Sequence, residues 1–290
     1  MRDDISDIAA LYDSGVEYED SRLERHQLEY DLTWRYLTRY LPPTGSILEV
    51  GAATGRYTLA LCRCGYSVTA VDLSAALLER CKLRLEAKAL DGQARFVVAD
   101  ARDLYAVPAT AFDAVLLMGP LYHLIFEEDR RQAIRQAADR LRSGGLLFST
   151  HISRLGVLGD LMRRIPEWIE QKEVVRSLLD HGRRPDDQPR GGFRGYFARV
   201  SEIRPLHEAL GIQTIVLAGV EPAISADDKS YNQLQAPQRD LWLDLLEEVS
   251  TDEATVGASR HVLYVGRKEN NEATAELRAE NLRPTDLRPA

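Results

Sequence analysis

The order of apolar and polar positions along the chain changes character twice. Up to residue 41, Leu23, Tyr30, Trp34, Leu37 and Leu41 recur on one face of a 3.6-residue period, which predicts helix, and Pro42 with Pro43 ends it. Beyond the prolines come short apolar runs: SILEVGA from Ser46, SVTAVDL from Ser67, ARFVVAD from Ala94, FDAVLLMG from Phe112 and GLLFSTH from Gly145. Helical stretches separate them, a rhythm that marks a parallel sheet with helices on its faces. These helices include Ser74 to Leu90, with Ser74 as N-cap, and Glu127 to Arg142, closed by Gly144 and Gly145.

The second change follows His151. About fifty residues separate it from the next strand, too many for a simple crossover, so an inserted element is expected over 152–199. Within it Leu158, Leu161, Met162 and Ile165 form an amphipathic stripe, and Pro166 suits the first turn of another helix carrying Ile169, Val174 and Leu178. A flexible stretch, RRPDDQPRGGFRG from Arg183, follows. The sheet rhythm resumes with a helix at Ser201 to Leu210, a strand from Gly211, a helix at Gln238 to Val249 and a last strand from His261. The expected division is a helical cap (1–42), a core (43–151), the insert (152–199), the remainder of the core (200–268) and a polar tail (269–290).

Composition narrows the setting. The 290 residues are 44% hydrophobic, enough for one large core, and no run approaches the roughly 18 apolar residues of a membrane span. The start MRDDISDIAA lacks the basic-then-apolar order of a signal peptide, so a cytoplasmic protein without membrane partners is expected. A net charge of -8 repels nucleic-acid phosphates and disfavours that partner. Cys62, Cys64 and Cys81 lack zinc-site spacing, and no His/Asp/Glu cluster has ligand spacing along the sequence, so no metal is expected.

The chemistry concentrates in ILEVGAATGRY, where a strand meets a turn containing Gly51 and Gly55 before a helix near Arg56. Such a turn brings backbone N–H groups and a helix N-terminus close to a nucleotide-like ligand. The run lacks the middle glycine of the dinucleotide fingerprint GxGxxG, and no GxxxxGK[ST] P-loop occurs. Glu49 lies in the first strand, Asp72 ends the second and Asp100 ends the third. All three would face the carboxyl edge of the sheet. A carboxylate at Asp72 can accept both hydroxyls of a ribose, and Asp100, with the Ala101 backbone N–H beside it, is placed for an adenine amino group.

The ExGxxxG turn, the acid ending the second strand and the VADARDL stretch resemble motifs of class I S-adenosylmethionine (SAM) dependent methyltransferases over roughly Pro43 to Arg267. The resemblance implies an α/β, Rossmann-like, seven-stranded, mostly parallel sheet with helices on both faces. In that fold the last strand inserts antiparallel beside the sixth. The resemblance also implies SAM as cofactor: Gly51 and Gly55 in close backbone contact, Glu49 on the methionine amino end, Asp72 on the ribose and Asp100 on the adenine. Leu73, Ala101 and Met118 complete the expected lining, with Ala53 standing where the family commonly has a middle glycine.

The fourth strand ends in LLMGPLYHL. Methyl transfer is an in-line displacement, so the protein must hold a nucleophile and remove its proton where needed; His123 is the candidate base and Tyr122 a substrate or pocket-closing residue. GPLYHL also resembles a group of bacterial SAM-dependent methyltransferases with an N-terminal Tyr-Asp pair and a RLERH-like stretch, here Tyr12-Asp13 and Arg22 to His26. That resemblance implies a small-molecule acceptor. Tyr18, Arg25, His26 and His151 are further pocket candidates beside packing roles. The insert is expected to act as a lid, with Phe193, Tyr196 and Phe197 closing on substrate or anchoring to the core.

Two other functions compete. A nucleic-acid methyltransferase acting on exocyclic amines usually has [ND]PP[YF] where this chain has Met118-Gly119-Pro120-Leu121, and C5 methylation needs a cysteine, of which none follows Cys81. RGGFRG is a candidate RNA contact, but its few charges sit in an acidic protein. A catalytically inactive SAM-binding module is the other alternative. Accepting atom and oligomeric state are left open by the sequence.

Overall fold

The computed structural model describes residues 3–108, 111–185, 194–222 and 227–269. Among the described residues eight strands form one sheet: β1 (Ser46–Val50), β2 (Ser67–Asp72), β3 (Ala94–Val98), β4 (Phe112–Leu117), β5 (Leu141–Ser153), β6 (Phe197–Ala198), β7 (Ile212–Gly219) and β8 (His261–Lys268). The seven-strand path is β3-β2-β1-β4-β5-β8-β7, and the two-residue β6 adds to β5 off that path. Strands β1 to β5 run parallel, and β8 enters antiparallel between β5 and β7. Near-continuous apolar sequences explain the central position of β1 and β4, since both faces of these strands are covered and Ile47, Leu48, Val115 and Leu116 are fully buried.

One face packs against helices Gln27–Tyr40, Arg56–Arg63, Ala75–Glu86 and Gln238–Val249. The other packs against Glu127–Arg140, Val200–Glu208 and Glu253–Ala258. Strand order reverses between β1 and β4, and the crevice above such a switch point is where open α/β sheets bind ligands.

The expected elements differ from the observed ones in places that have local causes. The N-terminal region is four helices, Ser6–Ser14, Val16–Asp20, Arg22–Arg25 and Gln27–Tyr40, and only the last carries the long apolar stripe, through Leu28, Leu32, Tyr36 and Leu37. The helix expected to run to Arg142 ends at Arg140, because Leu141 pairs with Phe112 and draws Gly144 and Gly145 into β5. Ser74 does cap its helix, accepting from the Leu77 N–H at 3.1 Å.

In the insert, Val157–Arg164 is followed by a separate 3-10 turn, Pro166–Glu170, and then by Lys172–His181. Val174 and Leu178 face a local cluster with Trp168 and Phe197, whereas Met162 and Ile169 point to solvent. Most of the stretch from Arg183, Phe193 included, and the tail beyond Glu269 lie outside the described residues. The short helices Pro120–His123 and Asp228–Asn232, with β6, had no periodicity to announce them.

Candidate active site

The carboxyl ends of β1, β2 and β4 open into a cleft of about 1160 Å³, continuous with solvent and roofed by the N-terminal helices. Glu49, Gly51, Ala53, Asp72, Leu73, Asp100, Ala101, Met118, Tyr122 and His123 all line it. Gly55 does not. It holds a left-handed φ of 79°, and a side chain there would collide with Cys81, so its glycine serves helix packing rather than a ligand. Gly51, at φ 84°, has the same constraint from the Met118 carbonyl, because the β1 and β4 ends approach closely beside it.

The turn is organised by Asp72. Its Oδ2 accepts from the Ala53 N–H at 2.8 Å and its Oδ1 from the Ser74 N–H at 2.9 Å. Burial nevertheless raises its carboxyl above the ordinary range. Glu49 is buried too. It accepts from the Thr58 hydroxyl at 2.6 Å, and desolvation pushes it up to about 8, which favours the protonated carboxyl at neutral pH. Asp100 is more committed than its position at a strand end suggests: both its oxygens accept from the Arg102 guanidinium, which reaches on to Asp129 at 3.0 Å and to the Asp3 carbonyl at 2.9 Å.

At the reacting end, Gly119 donates to Thr150 Oγ1 at 3.1 Å and starts the turn that presents Tyr122 and His123. His123 Nδ1 faces the Arg194 carbonyl at 3.3 Å, which requires Nδ1–H, and its Nε2 therefore accepts from the Tyr12 hydroxyl at 2.7 Å. Burial drives His123 down to about 4. With both ring nitrogens engaged, it is a poor candidate for taking a substrate proton directly; it positions Tyr12, which lines the cleft.

The neighbouring Asp13 accepts from Ser74 and from the Ala76 N–H, so the Tyr-Asp pair sends one side chain into the cleft and the other onto the helix after β2. Arg22 of the RLERH stretch also lines the cleft, held by Glu29 at 2.8 Å and Glu19 at 3.1 Å.

The remaining sequence candidates stand elsewhere. Tyr18 is exposed beneath the Arg25 guanidinium, at 4.0 Å. His151 is buried beside His207. Tyr196 stacks under Arg130 at 3.4 Å and Phe197 joins the insert's apolar cluster, so both anchor the insert to the core. None of Tyr18, Arg25, His26, His151, Tyr196 and Phe197 lines the cleft. Cys62 and Cys81 are buried with thiols pushed up to about 11 and about 12, and Cys64 is exposed.

Folding also assembles a cluster that sequence spacing did not reveal. Among the described residues, His26, Glu221 and Asp228, and likewise Glu29, Glu221 and His261, bring metal-ligand atoms within 4.8 Å of one another. Arg260 donates to Glu221 and lies near Asp228, while Arg22 holds Glu29, so guanidinium groups already supply cationic partners in both groups.

Residues 47–145 match the family model described as a methyltransferase domain. Those residues carry a methyltransferase domain, on the fold of SAM-dependent methyltransferases. Among curated proteins, the chain is 34% identical over 120 residues to the ubiquinone biosynthesis O-methyltransferase of Xanthomonas axonopodis, covering 41% of this chain and 48% of that one. It is 30% identical over 130 residues to the carboxy-S-adenosyl-L-methionine synthase of Aliivibrio salmonicida, covering 43% and 52%. It is 28% identical over 138 residues to the tRNA 5-carboxymethoxyuridine methyltransferase of Escherichia coli, covering 46% and 51%.

The chain thus spans about half the length of the curated relatives it matches. Fold likeness extends further. A SAM-dependent methyltransferase from Methanosarcina mazei superposes with a TM-score of 0.55 at 15% identity, covering 81% of this chain and 97% of that one. The CcbJ methyltransferase of Streptomyces caelestis gives 0.54 at 15%, covering 83% and 89%.

The cleft offers a donor set that fits SAM. Leu73, Leu77, Ala99 and Ala101 supply apolar walls for a flat base, and the Asp72 carboxylate stands beside them for a diol. Glu49 offers a carboxyl for an ammonium, and Arg22 and Arg56 offer guanidinium groups for a carboxylate.

Proposed function

We propose that the protein transfers a methyl group from SAM to a small acceptor held beneath the N-terminal helices. The observation that carries this reading is that one cleft is lined by Glu49, Asp72 and Asp100 together with Tyr12, Tyr122 and His123. SAM, when bound, supplies an electrophilic methyl on a cationic sulfur. Asp72 would hold the ribose hydroxyls, Glu49 the ammonium, Arg22 and Arg56 the carboxylate, and Leu73 and Ala101 the base, with Gly51, Ala53 and Met118 lining the methionine end. Asp100 would reach the adenine edge while keeping its pairing with Arg102. Because Tyr12 gives its proton to His123, it offers only lone pairs to the cleft, the polarity that suits a cationic donor.

Support for a small acceptor comes from closure and charge. The insert's return segment bonds to the reacting end, with Tyr196 N–H donating to the Tyr122 carbonyl at 2.8 Å and the Arg194 carbonyl meeting His123. Arg194 is in turn clasped by Asp3 at 2.6 Å and Asp7 at 3.0 Å, so cap and insert close the site together as a lid. Glu19, Asp20 and Glu29 line the cleft and would repel the phosphates of RNA. No described helix is long and apolar enough to cross a membrane.

The test uses methyl-labelled SAM with two acceptor pools, a metabolite filtrate below about 1 kDa and total RNA. Label entering the filtrate is the expected result. Label entering RNA instead would replace the small-acceptor reading, and label entering neither pool would favour an inactive SAM-binding module.

A further inference from the structure

A second cavity, of about 870 Å³, lies on the other face of the sheet, where helices Glu127–Arg140 and Val200–Glu208 flank the end of β5. It shares no lining residue with the first cleft: Thr150 of β5 lines one and His151 the other. Its wall contains Arg130, which is 5% exposed. Among the described residues the only hydrogen bond of this side chain runs from Nη1 to the Leu124 carbonyl at 2.7 Å, its buried Nε meets no acceptor and no carboxylate pairs with it; the Tyr196 ring covers the guanidinium at 3.4 Å. Arg102, Arg154 and Arg194, also buried, each face a carboxylate. The acids of the cavity wall are already engaged, Glu127 by Arg131 at 2.8 Å and Glu202 by the Tyr196 hydroxyl and by Arg154 at 3.4 Å. Arg130 is therefore a positive charge taken out of water without a counter-charge, and burial holds its guanidinium below the ordinary range. His151 adds an acceptor. Because His207 gives its Nδ1–H to the Ile203 carbonyl, Ser149 Oγ donates to His207 Nε2 and in turn accepts from His151 Nε2 at 3.3 Å. His151 Nδ1 is left as a lone pair with no described partner, on a ring that burial keeps neutral.

We propose that this cavity is a second ligand site, for a small monocarboxylate that carries a hydroxyl on an apolar body. The carboxylate pairs with Arg130, whose planar fork of N–H donors suits such a group, and the hydroxyl donates to His151 Nδ1. The body lies against Ala198, Ile203 and Leu206. A single charge matches the site, because Glu127 and Glu202 in the same wall repel a dianion such as a phosphate monoester. The proposal stands apart from the methyl-transfer reading: with no lining residue in common, the ligand of this cavity is not the methyl acceptor.

Calorimetric titration of the full chain with probes of one skeleton tests it: phenylacetate, its hydroxylated forms (mandelate and the ring-hydroxylated isomers), the neutral phenylacetamide, and phenyl phosphate. The acids are expected to bind, at least one hydroxylated acid about threefold or more tighter than phenylacetate, and the amide and the phosphate about tenfold or more weaker. Arg130→Gln is expected to weaken the tightest acid at least about tenfold, and Arg130→Lys, which keeps the charge, to weaken it less. Because Arg130 also ties the Leu124 carbonyl, a measurement on the wild type accompanies the variants: in long-range ¹H–¹⁵N correlation of the histidine side chains, the tightest acid is expected to move the His151 Nδ1 resonance and leave those of His123 in place. No binding by any of the acids, amide or phosphate bound as tightly as the acids, no gain from a hydroxyl at any position, undiminished affinity in Arg130→Gln, or a response at His123 with none at His151 would each overturn the proposal.

Discussion

Ala53 holds a positive φ of 47° at the tip of the cofactor turn, where an L-residue pays a backbone cost that glycine does not. Ala53→Gly is therefore expected to raise stability by about 1 kcal/mol in denaturant unfolding; a clear loss would mean that the Ala53 methyl is a packing group. Four positions earlier along the same cleft, Glu49 shows how burial couples to binding. Its carboxyl, raised to about 8 by desolvation, binds a proton that an incoming ammonium must displace. SAM affinity should therefore rise with pH from 6.5 toward 8, with proton release seen as a buffer-dependent heat, and Glu49→Gln should flatten the trend. Pairing of the ammonium elsewhere would leave the wild type flat as well. The residue types of this wall were legible because strand ends and a glycine turn place them by local rules. The engagement of His123 was not, since its partners come from positions 12 and 194.

At the scale of elements, the helix Val200–Glu208 is fastened to the sheet by a buried imidazole. His207 stacks on Tyr264 at 3.9 Å, donates from Nδ1 to the Ile203 carbonyl at 2.8 Å and accepts at Nε2 from Ser149 Oγ at 2.9 Å. Burial lowers it to about 4, below the usual 6.5. The unfolded chain binds the extra proton between those values, so this contribution is intact above pH 6.5 and is lost as pH falls toward 4. Glu49 and His26, both shifted upward, work in the opposite sense, so a difference between variants isolates the effect. His207→Gln, which keeps two hydrogen-bonding groups, should lose about 2 kcal/mol less stability than the wild type between pH 7 and pH 5. Equal pH slopes would show that His207 is solvated. The existence of this helix and of the strands beside it was readable from periodicity. Its ending, the split of the insert at Pro166 and the two-residue β6 were decided by pairing and packing with distant segments, to which a period of 3.6 or 2 is blind.

For the molecule as a whole, the carboxyl edge of the sheet and the N-terminal cap make one chamber. Clasps join segments far apart in the chain: Asp3 and Asp7 with Arg194, and His26 with Asp228 at 2.8 Å. The alternating pattern announced the sheet and its cleft, and the acids of the first three strands announced the ligand class. The Glu221–His261 pair at the far end could not be announced, because it joins the ends of β7 and β8 to a cap residue, Glu29, by tertiary packing alone.

The central claim is that this cleft binds SAM through Asp72, and calorimetric titration of the full chain with SAM and S-adenosylhomocysteine tests it most directly. Asp72 also ties the Ala53 and Ser74 N–H groups, so Asp72→Asn, which keeps an acceptor oxygen for the turn, is the informative partner to Asp72→Ala. Micromolar binding of both ligands to the wild type, lost or weakened at least about tenfold in Asp72→Asn, is the expected result, the size of one charge-assisted hydrogen bond to a ribose hydroxyl. Absence of binding by the wild type, or undiminished affinity in both variants, would contradict the account.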